Sequence, residues 1–295
     1  MSETSDRIRR GFKESDDKRD AGLKTPEDIS RCDDIVYGDD PVWQVLDVYR
    51  PKVLEGEKLP VIVSVHGGGW VYGDKERYQY YCMDLAKRGF AVVNFTYRLA
   101  PEFQYPAPLE DTDLVFTWIL SHADKYGFDT EHIFAVGDSA GGNGLGLYAA
   151  ICTNAGYAKH YPFIVPDGLS LKAIALNCGV YQIRVDREED EQHRNLMWDY
   201  LPGHGSWEEL ELLDVTAHVT KDYPPVFLMT AVDDFLKPQA TLLAEKLMAC
   251  DVPFVCRLYG DADNRLGHVF HADIRTKDAA LCNDEECAFF RRFVK

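Results

Sequence analysis

The feature that most constrains this chain is a series of short, continuous apolar runs rich in β-branched residues. After a stretch with imperfect alternation at 42–49, the runs are 61–65, 90–97, 132–136, 173–177, 226–231 and 253–259. Continuous runs of this kind are typical of strands that are buried on both faces. Between them lie plausible helices at 76–88, 108–125, 140–155, 238–250 and 273–293. The alternation predicts an α/β fold with a mostly parallel central sheet flanked by helices on both sides.

Two segments depart from this rhythm. Residues 1–40 form a charge-dense N-terminal arm, which the sequence leaves open as a solvated helix, a flexible arm or one wall of a cap. Residues 181–215 form a polar insertion with aromatic side chains at Trp198, Tyr200 and Trp207, which suit either a cap or a surface helix that packs them inward. We therefore predict one catalytic domain over 41–295, with a small cap formed by the arm and the insertion.

Composition limits the partners of the chain. Lys and Arg number 32 against 49 Asp and Glu, so 32 − 49 gives a net charge of −17. This charge repels phosphate and argues against nucleic acid or an anionic membrane as the main partner. The sequence has no apolar run long enough for a membrane span and no apolar signal region, which favours a cytoplasmic location. Its eight cysteines form no C-x-x-C pair, so we expect reduced thiols and no metal or other cofactor.

The most informative motif is Gly137-Asp138-Ser139-Ala140-Gly141-Gly142, which follows a predicted strand and precedes a predicted helix. G-x-S-x-G in this context forms a sharp turn that exposes the serine hydroxyl above the sheet. A glycine-rich turn without catalytic function is the alternative. A nucleotide-phosphate loop is disfavoured, because no G-x-x-x-x-G-K sequence is present.

A second motif, His66-Gly67-Gly68-Gly69-Trp70, directly follows the run at 61–65. Consecutive glycines allow backbone N–H groups to point into one small volume. An acyl-transfer site uses such donors to bind the oxyanion of a tetrahedral intermediate.

Together these motifs resemble those of the hormone-sensitive-lipase-like family of α/β-hydrolases. The resemblance also includes Tyr97-Arg98-Leu99-Ala100-Pro101-Glu102 and the following Tyr105-Pro106-Ala107-Pro108 and Asp111, and it covers roughly residues 42–295. It implies a serine hydrolase that acts on carboxylic esters without a cofactor. It further implies that Gly68, Gly69 and Ala140 donate to the oxyanion.

A serine nucleophile needs a histidine base and an orienting carboxylate, which follow the serine in the chain order of α/β-hydrolases. Only His268 and His271 lie beyond position 218, and His268 is preferred because H-x-F resembles the family's pattern. His271 is expected to cap the last helix or to lie on the surface. The candidate acids are Asp233 and Asp234, and the family pattern of an Asp before Pro-Leu selects Asp234, although Phe235 replaces the proline.

Several neighbours of the two motifs are candidates for supporting roles. Trp70 and Tyr72 follow the oxyanion glycines and are candidates for the acyl or alcohol pocket, together with His66 and Gly67 of the motif itself. Asp138 is interpreted as a structural residue of the turn, with orientation of the elbow as the alternative.

Three functions remain to be compared. The first is a carboxylesterase for short-chain, acetyl to butyryl, esters, with acetylated carbohydrate as one candidate substrate. The second is an arylformamidase-like amidase, and the third is a ligand-binding receptor on the same fold, such as the plant gibberellin receptor. That receptor lacks the histidine base, so the presence of His268 favours an enzyme. We expect a small-molecule ester as the partner, and the sequence leaves association into a homo-oligomer open.

Overall fold

A computed structural model describes residues 2–184 and 191–294 of the chain. Within these residues, eight strands form one sheet: β1 (Ile29–Val36), β2 (Val45–Pro51), β3 (Leu59–Val65), β4 (Ala91–Phe95), β5 (Phe128–Asp138), β6 (Leu171–Asn177), β7 (Val226–Ala231) and β8 (Phe254–Tyr259). Their order across the sheet is β1-β2-β4-β3-β5-β6-β7-β8. β1 and β2 are antiparallel to their neighbours in the sheet. The other six strands, from β3 to β8, run parallel to one another. The predicted fold class is confirmed.

Helices cover both faces of the sheet. They are α1 (Glu3–Asp20), α2 (Lys75–Ala86), α3 (Ala107–Ser121), α4 (Ala123–Tyr126), α5 (Ser139–Thr153), α6 (Ala155–Ala158), α7 (Glu191–Tyr200), α8 (Trp207–Leu212), α9 (Val215–His218), α10 (Lys237–Ala249) and α11 (Lys277–Arg291). The predicted helix at 108–125 is two helices, because the backbone leaves helical geometry at His122 between α3 and α4. No helix in the two described ranges is long and apolar enough to cross a membrane.

Alternate residues of the central strands pack into two separate hydrophobic cores. On β3, Val61 and Val63 join the core beneath α3 and α5, whereas Ile62 joins the core beneath α2 and α11. This alternation follows from the period of two in a strand, and burial of both sets explains why the run at 61–65 is continuously apolar.

The first strand lies inside the segment predicted as the N-terminal arm. β1 pairs antiparallel with β2 at the edge of the sheet, so the sheet begins before the predicted boundary at residue 41. Its sequence, ISRCDDIV, contains few apolar residues and three consecutive exposed positions. An edge strand that is half covered does not need a continuous apolar run, and this is why the sequence pattern missed it.

Parallel strands bring their carboxyl ends to one edge of the sheet. The loops that follow β3, β5 and β7 carry the glycine motif, Ser139 and Asp234 respectively. Three predicted site segments that are far apart in sequence therefore meet at this edge, where α/β folds place their sites.

Candidate active site

Ser139 occupies a sharp turn between β5 and α5. It is the first residue of α5, and its φ of +51° lies in the left-handed region. The turn fits against β3 without space for larger residues, because a Cβ on Gly141 would lie 2.1 Å from the carbonyl oxygen of Val65. The glycines of the motif therefore permit a strained serine conformation that a bulkier sequence would not reach.

Ser139, His268 and Asp234 form a continuous chain of hydrogen-bond contacts. His268 Nε2 lies 3.0 Å from Ser139 Oγ, and His268 Nδ1 lies 2.7 Å from Asp234 Oδ1. These distances allow the imidazole to take the serine proton on one side while the carboxylate holds the other side. The sequence-predicted nucleophile, base and acid are thus brought together.

The environment of Asp234 keeps its carboxylate ionised. Burial acts to raise its pKa, but the contact with His268, the Leu236 N–H and the Thr230 hydroxyl together lower the pKa below its usual value. The Thr230 hydroxyl donates to Oδ2 at 2.8 Å, and the Leu236 N–H donates to Oδ1 at 2.9 Å. Both oxygens are therefore fixed, and Oδ1 faces the imidazole.

Asp233, the alternative acid, points elsewhere. Its carboxylate pairs with the guanidinium of Arg265, and more than a third of its side chain is exposed. Adjacent residues of an extended segment direct their side chains to opposite sides, and only Asp234 contacts His268.

His271 does not lie on the surface or cap α11, as the sequence suggested. Its side chain is fully buried, and the edge of the Tyr81 ring lies against it with ring centroids 5.0 Å apart. Burial lowers the pKa of His271 to about 3, so the ring is neutral. The prediction failed because the turn at Phe270–Ala272 folds inward beneath α2, a tertiary contact that local sequence does not encode.

The glycine motif forms a tight loop beside Ser139. Gly68 has a φ of +120°, and a Cβ there would lie 2.0 Å from the carbonyl oxygen of Tyr72, so no other residue fits. Gly69 has a φ of +61° and lines the same cavity as Ser139 and Ala140. The loop thus places partly exposed backbone in the cavity that Ser139 also lines, as an oxyanion site requires.

His66 supports this loop from below. Its ring is fully buried, stacks on Tyr97 with centroids 3.9 Å apart, and has Nδ1 2.7 Å from the Gly67 carbonyl oxygen. Burial lowers its pKa to about 4, so the ring is neutral and Nδ1 donates to that carbonyl. We assign His66 a structural role in the loop.

A buried hydrogen-bonded relay joins the glycine loop to the elbow. The Gly67 N–H donates to the Tyr78 hydroxyl at 2.9 Å, and this hydroxyl donates to Asp138 Oδ2 at 2.7 Å. Burial raises the pKa of Asp138 to about 6. Asp138 therefore orients the two motifs relative to each other. Nothing in the sequence distinguishes Tyr78 from the other tyrosines of α2.

A cavity of about 600 Å³ opens above Ser139. Most of its walls are apolar, and its lining includes Ile8 and Phe12 of α1, Trp70 of the glycine loop, Leu196 and Met197 of α7, and Leu236 and Leu242 around α10. Polar groups in the lining come from Gln182, Arg184, Gln192, His193 and Gln239.

The predicted pocket residue Tyr72 does not line this cavity. Its hydroxyl instead donates to Asp16 of α1 at 3.0 Å.

Polar contacts hold helix α1 in place at the wall of this cavity. Arg9 donates to the carbonyl oxygens of Val71 and Ala100 at 2.7 and 2.8 Å and pairs with Glu102. Near the start of the helix, Ser2 and Ser5 donate to the carboxylate of Asp199 on α7. The charged residues that made α1 resemble a free arm are thus partly the contacts that hold it in place.

The aromatic residues of the insertion do not surround the serine. Tyr200 is buried and stacks on Trp70, with centroids 4.8 Å apart, and Trp198 is exposed and stacks on His204. Trp207 lines a second cavity of about 530 Å³, which shares Gln182, Ile183 and Arg184 with the first. Residues 185–190 of the predicted insertion lie outside the described residues.

Glu286 of α11 is a buried carboxyl group behind the site. It accepts hydrogen bonds from Asn177 Nδ2 at 2.6 Å and from the Tyr81 hydroxyl at 3.1 Å. Asn177 ends β6 and lies opposite Asp138 in the β5–β6 register. Burial raises the pKa of Glu286 to about 7.

This raised pKa predicts a pH-dependent stability. In the unfolded chain Glu286 titrates near 4.5, so between pH 4.5 and 7 the folded protein binds more protons than the unfolded chain, and stability falls as pH rises. Glu286→Gln removes this titration. Urea unfolding from pH 5 to pH 8 should show the free energy of unfolding of the wild type falling by roughly 3 kcal/mol relative to the variant. Parallel pH curves for the two proteins would contradict the assignment.

Known proteins share this fold and sequence pattern. The family model described as BD-FAE matches residues 46–247. Carboxylesterase NlhH of Mycobacterium tuberculosis is 32% identical over 249 residues, which span 78% of this chain and 74% of that protein. Versiconal hemiacetal acetate esterase of Dothistroma septosporum is 40% identical over 97 residues, 32% of this chain and 30% of that protein. The structure of esterase B from Lactobacillus rhamnosis inhibited by a C4-C4 tributyrin phosphonate superposes with a TM-score of 0.89 at 25% identity, covering 99% of this chain and 96% of that chain.

The sheet, its flanking helices and these relatives define an α/β-hydrolase that is a carboxylic ester hydrolase. The resemblance to hormone-sensitive-lipase-like α/β-hydrolases is confirmed by the carboxylesterase relatives and esterase neighbours. More narrowly, the chain belongs to the BD-FAE family, whose model covers more than half of its length.

Proposed function

We propose that this esterase hydrolyses short-chain carboxylic esters through an acyl-enzyme on Ser139, with His268 as base and Asp234 as the orienting acid. The observation that carries the proposal is the Ser139–His268–Asp234 contact chain, whose serine lines a cavity that Gly69 and Ala140 also line.

In the first half-reaction, His268 Nε2 takes the proton of Ser139 Oγ as this oxygen attacks the ester carbonyl carbon. The carbonyl oxygen becomes an oxyanion, which the backbone N–H groups of Gly68, Gly69 and Ala140 stabilise. The protonated His268 then gives its proton to the departing alcohol, leaving the acyl group on Ser139.

In the second half-reaction, His268 deprotonates a water molecule that attacks the acyl-enzyme, and the carboxylic acid leaves as Ser139 recovers its proton. Asp234 holds the imidazole in the tautomer that carries hydrogen on Nδ1 and stabilises its charged form. Because Thr230 and the Leu236 N–H fix the carboxylate, this orientation is established before substrate binds.

The size and lining of the cavity support short acyl chains. About 600 Å³ must accommodate both the acyl and alcohol parts, and α1 and α7 form part of its wall. The side chain of Leu196 approaches within 3.9 Å of the position that a Cβ on Gly69 would occupy, so the apolar cap lies directly over the glycine loop. Support also comes from the relatives named for an acetate ester and for a C4 tributyrin phosphonate.

Acetylated carbohydrate is a narrower proposal for the natural substrate. The positions of Trp198 and Tyr200 give it no support, because neither lines the cavity above Ser139 or the second cavity. The supporting observation is Trp207, which is exposed and lines the second cavity together with Glu211, so this cavity has both an aromatic ring and an acidic residue in its wall. Because the net charge of −17 repels anionic phosphate groups, we propose that the partners of this protein are small molecules and include neither nucleic acid nor a membrane surface.

The acyl preference is testable with p-nitrophenyl esters of two to sixteen carbons. We expect kcat/KM to be highest at two to four carbons, because longer chains meet the wall formed by Ile8 and Phe12. Phe12→Ala should raise the activity toward eight carbons relative to two, whereas Val53→Ala, on an exposed turn, should leave the profile unchanged. A wild-type optimum at ten carbons or longer would overturn the proposal.

A further inference from the structure

Cys178 places a thiol beside the catalytic contact chain. It directly follows β6, is 2% exposed, and has a φ of +47°. Its N–H donates to the Met229 carbonyl oxygen at 2.8 Å, which fixes the residue against β7. Cys178, Asp234 and His268 each offer one ligand atom, and these three atoms lie within 4.8 Å of one another.

We propose that Cys178, Asp234 and His268 form a binding site for a thiolate-preferring divalent cation, Cd²⁺ or Zn²⁺, whose occupation stops ester hydrolysis. A thiolate sulfur, an imidazole nitrogen and a carboxylate oxygen are ligands that these cations take in proteins. Within residues 2–184 and 191–294, this is the one group of three or more such side chains with the required proximity. The site is inhibitory, and the reaction proposed for this enzyme does not use the cation.

The inhibition follows from the two nitrogens of His268. In the catalytic arrangement Nδ1 carries hydrogen toward Asp234, and the lone pair of Nε2 faces Ser139. A cation coordinated by Nδ1 uses the lone pair of that atom, so the imidazole hydrogen moves to Nε2. Nε2 then has no lone pair with which to accept the serine proton. The thiol releases its proton to solvent as it becomes the thiolate ligand, so occupation of the site releases one proton.

Burial determines the behaviour of the thiol without a cation. Burial, together with the carboxylate of Asp234, raises the pKa of Cys178 well above its usual value. The thiol is therefore protonated and a poor nucleophile, and it loses its proton only when a bound cation stabilises the thiolate. His268 is the most exposed of the three ligands, at 18% of its side chain, and its Nε2 lies 3.0 Å from Ser139, which lines the cavity.

Cadmium binding tests the site independently of catalysis. The background protein carries Cys32→Ser and Cys256→Ser, which remove the two exposed thiols. Titration with CdCl₂ in a thiol-free, non-chelating buffer should give a thiolate-to-cadmium charge-transfer band in the ultraviolet that saturates at one equivalent. Adding Cys178→Ser should abolish that band. The inhibition constant of cadmium for ester hydrolysis should rise at least about tenfold in the Cys178→Ser protein. Loss of a residue that only hydrogen-bonds to a metal ligand already lowers metal affinity by about this factor, and Cys178 is itself a ligand.

The outcomes separate this inference from the proposed function on which its inhibitory part rests. A band that persists in the Cys178→Ser protein, or equal inhibition of the two proteins, would overturn the site. A Cys178-dependent band without loss of turnover would overturn the effect on His268. If the wild type hydrolyses no ester, the proposed function fails while the band still tests the site. Cys178→Gly, which suits the positive φ, serves as the second variant if Cys178→Ser does not fold by circular dichroism.

Discussion

Replacing Ser139 with alanine should lower kcat for p-nitrophenyl acetate by about 10⁴-fold or more, which is the size of loss expected when a triad nucleophile is removed. The substitution deletes only Oγ, the atom 3.0 Å from His268 Nε2. The backbone at this position is held by the surrounding glycines and does not depend on the hydroxyl. The measurement is steady-state turnover, compared after purification to homogeneity.

Thermal unfolding of the Ser139→Ala protein provides the control, and we expect a midpoint close to that of the wild type. Residual turnover above about one part in 10³ in a folded variant would contradict the nucleophile assignment.

Replacing Asp234 with asparagine should lower kcat by up to about 10⁴-fold, because an amide facing Nδ1 favours the wrong imidazole tautomer. Asp233→Asn is the matched control: it makes the same chemical change one residue earlier, at a carboxylate that pairs with Arg265 on the surface. Exposed ion pairs contribute little to stability, so Asp233→Asn should retain turnover within a few-fold of the wild type. Steady-state kinetics of the two variants distinguish the residues.

The opposite ranking would place the acid at Asp233. Equal losses in both variants, accompanied by normal folding, would mean that neither carboxylate alone orients His268.

The elements that the sequence predicted well are those whose pattern is local. The run at 61–65 is apolar throughout because β3 is buried on both faces, and the pattern therefore located the strand. The elbow was likewise recognisable because Gly137 and Gly141 are required where they stand: a Cβ at either position would meet backbone atoms at 2.6 Å or less.

The elements that the sequence did not predict depend on contacts between distant segments. α1 has the composition of a solvated helix, yet Ile8 and Phe12 line the cavity because Arg9 and Asp16, at adjoining positions of the helix, bind Val71 and Tyr72 of the glycine-loop region. Glu286 resembles any acidic residue of a surface helix until α11 packs it against Asn177. No local pattern distinguishes such residues from solvated ones.

The central claim, that an acyl group is transferred to Ser139, is tested most directly by covalent labelling with a p-nitrophenyl butylphosphonate. The phosphonate reacts with an activated serine and leaves a stable adduct that intact-protein mass spectrometry and peptide mapping can locate. We predict one adduct per chain, on the peptide that contains Ser139, with activity lost in proportion to labelling and no adduct in Ser139→Ala. Complete inhibition with the adduct on another residue, or full turnover by protein labelled at Ser139, would contradict the account.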